Sequence, residues 1–261
     1  VLDARAGDLR TSGIWGIVVG GGSGARFGTP KQFLMLGGRP VVEWSVAACR
    51  SSCDAVVLVL PADRRVIAAS GAVTAHHGGS PPSASDEVPL EPPAYPTFGA
   101  DLAVAGGATR SASVRCGLAA VPSSARVVVV HDAARPLASP DLFQAVIDAV
   151  EDGAAGAVCA LPVTDTLKQL DRPSDALLRG EGPLPAVRAT VDRSALVAVQ
   201  TPQAFRAEVL RECHERGIEA TDDAGLLEAC GASVRVVPGD PRNIKLTTPA
   251  DLWLAERLVA P

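Results

Sequence analysis

At 261 residues, 47% of them hydrophobic and 20% charged, the chain has enough apolar surface for one large α/β core and does not read as disordered. Its net charge of −5 gives no overall basic field, so nucleic acid is not an expected partner and an anionic ligand would need a local cluster of cations. The six cysteines (Cys49, Cys53, Cys116, Cys159, Cys213, Cys230) form no C-x-x-C pair and read as reduced small hydrophobes, and no apolar run reaches membrane-spanning length, so a cytoplasmic enzyme is expected.

Residues 1–13 are a polar tail carrying both signs, and the run Ile14 to Val19 is a short, β-rich first strand. Where that strand should end, the chain reads Gly20-Gly21-Gly22-Ser23-Gly24-Ala25-Arg26-Phe27-Gly28-Thr29-Pro30-Lys31. Residues without Cβ atoms let successive N–H groups close on an anion, and Arg26 and Lys31 add charge, so the stretch reads as a cradle for a polyphosphate. It is not a Walker A loop, because Lys31 is followed by Gln32 rather than Ser or Thr. The dinucleotide fingerprint is weak, because no acid closes the second strand at Leu58 to Pro61.

Pro40 opens a helix that continues to Cys49, Ala55 to Leu60 is a second strand, and Asp63 to Ser70 a short helix. The Pro-, Gly- and Ser-rich stretch 71–99 reads as a flexible surface insertion, and His76 and His77 inside it lack the companions a metal site needs. Leu102 to Ala105 is a strand that ends in Gly106-Gly107, and the helix after it carries Arg110 and Ser113 in its first turns. Arg126 to Val130 is a β-branched strand running into His131-Asp132-Ala133-Ala134-Arg135, which puts an acid and an arginine at its carboxyl end; Asp132 could instead cap a helix or pair with Arg135.

Ser139-Pro140 starts a helix ending near Glu151, and Gly156 to Pro162 is a strand. From Thr164 to Thr190 short β-like pieces flank a Pro/Gly/Arg-rich middle, predicting a projecting β-ribbon that needs a partner surface. Gln200-Thr201-Pro202-Gln203 leads into a helix near Arg206 to Glu215. Thr221-Asp222-Asp223 caps a helix ending at Cys230-Gly231, Val234 to Pro238 is a strand, and Thr248-Pro249 opens a last helix to Val259.

Arg26, Lys31, Arg110, Arg135, Arg193 and Lys245 are then the candidate cations, with Asp132 as the candidate metal-binding acid and no nucleophilic triad or paired glutamates. Such a set suits a nucleophile that is already ionised. A phosphate monoester, with a second pKa of about 6, needs no general base at neutral pH, and its obstacle is anion repulsion that Lys, Arg and Mg²⁺ reduce.

The ordered set Gly20 to Arg26, Pro30-Lys31-Gln32-Phe33-Leu34, Gly106-Gly107 with Arg110 and Ser113, Val130 to Pro136, Pro162 to Thr166, Thr190-Val191-Asp192-Arg193, Gln200 to Gln203, Thr221 to Ala224 and Asn243-Ile244-Lys245 resembles the 2-C-methyl-D-erythritol 4-phosphate cytidylyltransferases of the non-mevalonate isoprenoid pathway. The resemblance covers Ile14 to Val259 and implies a single α/β domain over 14–259. Its fold would be three-layer and nucleotide-diphospho-sugar-transferase-like (Rossmann-like), with a mixed sheet and a β-arm over 164–193 that makes a homodimer.

It further implies that Gly20, Gly21, Gly22, Ser23, Gly24, Gly107, Arg110, Ser113, Asp132 and Ala133 hold CTP. Asp132 would hold Mg²⁺, and Arg26 and Lys31 would neutralise charge at the α-phosphorus. Arg193 and Lys245 would position the methylerythritol phosphate, with Arg135, Thr166, Thr201 and Thr221 completing that site. Two other functions compete: the sister ribitol 5-phosphate cytidylyltransferase, and a catalytically idle nucleotide-binding protein, whose signature would be loss of Lys31, Asp132 or Lys245.

Overall fold

The computed structural model describes residues 13–21, 30–63, 96–172 and 184–259. Arg26 and Gly22 to Gly24, the helix expected after Asp63, His76 and His77, and the middle of the expected ribbon lie outside the described residues.

The chain runs β1 (Ile14–Val19), a single 3₁₀ turn (Lys31–Phe33), the hairpin β2 (Met35–Leu36) and β3 (Arg39–Pro40), α1 (Val41–Arg50), β4 (Ala55–Leu60) and β5 (Leu102–Ala105). It continues through α2 (Arg110–Ala120), β6 (Val127–Asp132), α3 (Pro140–Glu151), β7 (Gly156–Pro162), β8 (Lys168–Leu170), β9 (Val187–Thr190) and β10 (Val197–Arg206). It ends with α4 (Ala207–Glu215), α5 (Asp223–Ala229), β11 (Val234–Pro238) and α6 (Pro249–Val259). Among the described residues a seven-stranded sheet has the order β11-β7-β10-β6-β1-β4-β5. Every pairing in it is parallel except those of β10, which runs antiparallel to both β6 and β7.

The parallel strands β1, β4 and β6 are largely Val, Leu and Ile because both faces of the sheet are covered. Successive side chains alternate between two cores. Leu58, Val127 and Val129 pack with Val42 and Val46 of α1 and Phe143 and Ile147 of α3. Val57, Val59, Val128 and Val130 pack on the other face with Val114 and Leu118 of α2, Leu210 of α4 and Leu226 and Leu227 of α5. Two helical layers around a mixed sheet give the three-layer α/β architecture.

The helix expected after Gln200 to Gln203 is present from Ala207 to Glu215, but the four residues Gln200 to Gln203 form an element the sequence reading does not assign: they are the middle of β10, the strand between β6 and β7. Pro202 supplies no N–H to a ladder and so argues against a central strand. The structure accommodates it with a register shift against β7 between Val199 and Gln203, while Gln203 to Arg206 keep a regular ladder on β6. β8 and β9 pair antiparallel as a separate two-stranded sheet, with the Lys168 ammonium donating to Thr190 Oγ1 at 2.6 Å.

The stretch expected as a surface insertion over 71–99 has a boundary to correct. Phe98 is 4% exposed, belongs to the α1/α3-side core, and its ring lies 5.8 Å from that of Phe33. The tail of the stretch is therefore core, a role its Pro/Gly-rich surroundings disguise. Deleting only 71–95 and joining the ends with a short Gly/Ser linker should leave melting temperature and turnover near those of the full chain. The remaining chain still exceeds the dozen or so residues a parallel β4-to-β5 crossover needs, and loop length enters stability only logarithmically. A deletion that extends through Phe98 should cost about 3–5 kcal/mol, the scale of a lost buried phenylalanine, read by chemical denaturation.

Candidate active site

The carboxyl ends of the parallel strands set the site. Register places Val19 beside Val59 on one side and beside Asp132 on the other, so the chain leaving β1 passes between the ends of β4 and β6. The Gly20 N–H donates to Val59 O at 2.8 Å, and the Gly106 N–H at the end of β5 donates to Leu60 O at 2.7 Å. The buried Gln32 amide then donates to Gly20 O at 2.7 Å, which ties the turn carrying Lys31 to the first strand's exit.

The Gly106-Gly107 bend is built by close approach to α2. A Cβ at Gly107 would lie 2.5 Å from Ala112 Cβ and one at Gly106 would lie 2.8 Å from Ser113 Oγ, so neither position admits a side chain without displacing the helix start. Thr109 caps α2 by accepting the Ala112 N–H, and Ser113 Oγ accepts the Gly107 N–H at 3.2 Å while donating to Thr109 O at 2.9 Å. The start of the helix thereby comes up to the β1 exit, where a Cβ at Gly21 would lie 3.0 Å from Ser113 Oγ.

Between these elements lies a cavity of about 380 Å³, the size of a small-ligand cleft. Gly20, Gly21, Lys31, Gly107, Arg110, Ser113, Asp132, Ala133 and Lys245, nine residues that the sequence pattern singled out, line it together. Among these described residues three side chains are cationic and one is acidic, so the cavity has the opposite sign to the chain as a whole. That is the local capture expected for an anionic ligand on an acidic protein.

Asp132 is the hub. Its Oδ2 accepts from Lys245 Nζ at 2.6 Å and its Oδ1 from Arg110 Nε at 3.4 Å, so its ion partners are these two and not Arg135. Burial alone would raise its pKa, but Arg110 and then Lys245 outweigh burial and hold the carboxyl well below the usual carboxylate range. The backbone of Asp132 is held as well. His131 Nε2 lies 3.1 Å from Arg135 O, an acceptor only, so that nitrogen carries the proton and Nδ1 accepts from the Thr201 hydroxyl at 3.2 Å. Thr201 Oγ1 in turn accepts the Asp132 N–H at 3.0 Å. Burial lowers the His131 pKa to about 4, which keeps this neutral relay intact at neutral pH.

Lys245 is delivered by a loop that the antiparallel strand holds. Gln200 Nε2 donates to Asp240 O and Asn243 O, Asn243 Nδ2 donates to Thr201 O at 2.9 Å, and Arg135 Nη1 donates to Asn243 O at 2.7 Å. The Leu246 N–H donates to Ala134 O at 2.8 Å, closing the loop over the end of β6.

The residues expected around a second, polyol phosphate are dispersed by comparison. Thr201 is buried with its hydroxyl committed to Asp132 and His131, and Arg135 braces the Asn243 loop. Thr166, Arg193 and Thr221 are exposed and do not line the cavity. Four residues that stand in the sequence motifs without an assigned role are as informative: Gln32, His131, Gln200 and Asn243 make buried hydrogen bonds that aim the cavity's side chains. Motif membership is their only sequence signal, since the partners Gly20, Thr201 and Asn243 lie far away in the chain.

The sequence profile of the family described as "IspD: 2-C-methyl-D-erythritol 4-phosphate cytidylyltransferase" matches residues 100–260. The chain is 40% identical over 249 residues to the 2-C-methyl-D-erythritol 4-phosphate cytidylyltransferase of Streptomyces avermitilis, covering 94% of this chain and 90% of that one. It is 41% identical over 255 residues to the "Bifunctional enzyme IspD/IspF" of Nitratidesulfovibrio vulgaris, covering 93% of this chain but 57% of the relative, so it spans little more than half the length of such bifunctional relatives. The crystal structure of the cytidylyltransferase from Thermus thermophilus superimposes with a TM-score of 0.65 at 34% identity, over 95% of this chain and 98% of that one. With the glycine bends, the Asp132 hub and both flanking cations arranged at the same sheet edge, the chain belongs to the 2-C-methyl-D-erythritol 4-phosphate cytidylyltransferase family.

Proposed function

We propose that this chain transfers the cytidylyl group of CTP to 2-C-methyl-D-erythritol 4-phosphate, releasing pyrophosphate, as a step of non-mevalonate isoprenoid biosynthesis in the cytoplasm. The observation that carries the reading is the cavity between two glycine bends in which Arg110 and Lys245 pair with one carboxylate and Lys31 shares the lining. The substrate's phosphate oxygen is already anionic at neutral pH and attacks the α-phosphorus in line, while the bond from that phosphorus to the pyrophosphate oxygen breaks. No side chain must remove a proton. The protein's work is to hold two anions together and to match the charge on the transferring group, which preorganised ammonium and guanidinium groups do at little reorganisation cost.

Among the described residues no three acidic, histidine or cysteine side chains cluster as a metal cage. That fits Mg²⁺ arriving with the nucleotide, since a magnesium triphosphate asks the protein for only one or two carboxylates, and Asp132 is the carboxylate in reach. When bound, the ion would neutralise phosphate oxygens. Asp132 would hold it, and Lys245, now 2.6 Å from Asp132, would be freed toward the second substrate's phosphate.

The exposed Arg193 lies just beyond β9, outside the cavity. This supports a homodimer in which the β8–β9 ribbon brings Arg193 to the partner's site. The exposed apolar residues Val187, Leu196, Val197 and Val199 beside it favour such a contact. The reading is tested by pyrophosphate release from CTP with methylerythritol 4-phosphate and, separately, ribitol 5-phosphate. Turnover with the first and little with the second is expected. The reverse preference would reassign the substrate, and no release with either would remove the enzymatic reading.

A further inference from the structure

Arg110 stands between two carboxylates, and they are not equal. Its Nε is 3.4 Å from Asp132 Oδ1 in the cavity, whereas its Nη1 is 2.7 Å from Asp223 Oδ2 behind it. The Asp223 side chain is 1% exposed against 12% for Asp132, so the shorter contact also sits where water screens least. The Arg110–Asp223 pair therefore decides where the guanidinium points.

Asp223 is itself fixed from several sides. It is the first residue of α5, whose cap Asp222 accepts the Gly225 N–H at 2.9 Å and the Gln203 amide of β10 at 2.8 Å. Its second oxygen, Oδ1, lies 3.2 Å from Nε2 of His214, a buried residue of α4. An ionised carboxylate only accepts, so His214 Nε2 is the donor and its proton sits on that nitrogen. Asp223 does not line the cavity, and neither does His214. Both reach the cavity through Arg110.

We propose that Asp223, oriented by His214, is a positioning residue for nucleotide binding: it holds the Nη1 end of the Arg110 guanidinium, leaving Asp132 the longer Nε contact, and keeps the group at the start of α2, facing the phosphates of CTP. The inference rests on the CTP reading above. Without Asp223, Arg110 keeps, among the described residues, Asp132 as its counter-charge and turns onto it, occupying the carboxylate that the nucleotide's metal would use. A merely structural ion pair would stabilise the fold and leave nucleotide affinity alone, so affinity separates the two roles.

The experiment measures the dissociation constant of Mg·CTP by calorimetry, with melting temperature alongside, for wild type, Asp223→Asn, Arg110→Ala and the double variant. Asp223→Asn should weaken binding about tenfold, or about 1.4 kcal/mol. In the Arg110→Ala background the same change should add less than about twofold, because an effect carried by Arg110 cannot be lost twice. His214→Phe, close in shape and more tolerant of folding, should weaken binding about threefold in wild type and not at all in Arg110→Ala. It also serves as the deciding variant if Asp223→Asn does not fold. Unchanged affinity in folded Asp223→Asn and His214→Phe, or effects that multiply in the double variants, would overturn the inference while leaving the CTP reading in place. Wild-type protein that binds no Mg·CTP would instead overturn the CTP reading itself, and this inference with it.

Discussion

Lys31→Ala should lower kcat by about 30- to 1000-fold while the Michaelis constant for CTP changes by less than about threefold. That is the 2–4 kcal/mol scale for one preorganised donor to a transferring phosphoryl group. The argument is geometric as well as chemical. Lys31 opens a 3₁₀ turn whose other two residues are buried: Gln32 donates to Gly20 O, and Phe33 packs against Phe98 in the core. Removing the ammonium therefore leaves its backbone anchored, and the melting temperature should stay within about 2 °C of wild type. Charge on the transferring phosphate peaks in the transition state, so a fixed cation gains most there and the loss falls on kcat. Steady-state kinetics with both substrates varied checks it. Unchanged kcat with a raised Michaelis constant for CTP would assign Lys31 to ground-state binding.

The second large effect is complementation between two inactive proteins. Arg193→Ala should lower kcat/KM for methylerythritol phosphate by about 100-fold or more, the scale for losing a charged partner of a desolvated phosphate. Equal amounts of Arg193→Ala and Lys31→Ala, mixed after reversible dissociation, should then recover about a quarter of wild-type activity. If Arg193 serves the partner's cavity, each mixed dimer has one site with both defects and one with neither. Half of the dimers are mixed, and half of their sites are intact. If Arg193 serves its own chain, every site carries one defect and nothing returns. Confirmed subunit exchange without recovery, or a monomer in sedimentation at assay concentration, would sink the shared site.

Much of this molecule was legible locally. The Val/Leu/Ile runs of β1, β4 and β6 declare buried strands because both faces of the sheet are covered, and a strand's burial is written in its own residues. Ser139-Pro140 and Asp222 mark helix starts because caps and first-turn prolines act within three residues. The glycine bends, Lys31, Asp132 and Lys245 appear in the order that carries the family resemblance, and the acid and cations beside them at strand ends come together in one cavity.

What the sequence could not decide depends on residues far apart in the chain. β10 is a strand despite Pro202 because β6 and β7 flank it and a register shift absorbs the missing donor. Phe98 is core because Phe33 meets it, although its own neighbourhood reads as loop. Asp132 pairs with Arg110 and Lys245 rather than with Arg135 three residues away, because the α2 start and the Asn243 loop converge on the end of β6. Asp223 stands behind Arg110 across 113 positions of sequence. Local propensity and capping act over a few residues, so the chain alone reveals its elements and its chemistry. The choice of partner for each charge is made only when the sheet brings the ends of β1, β4, β5 and β6 to one edge.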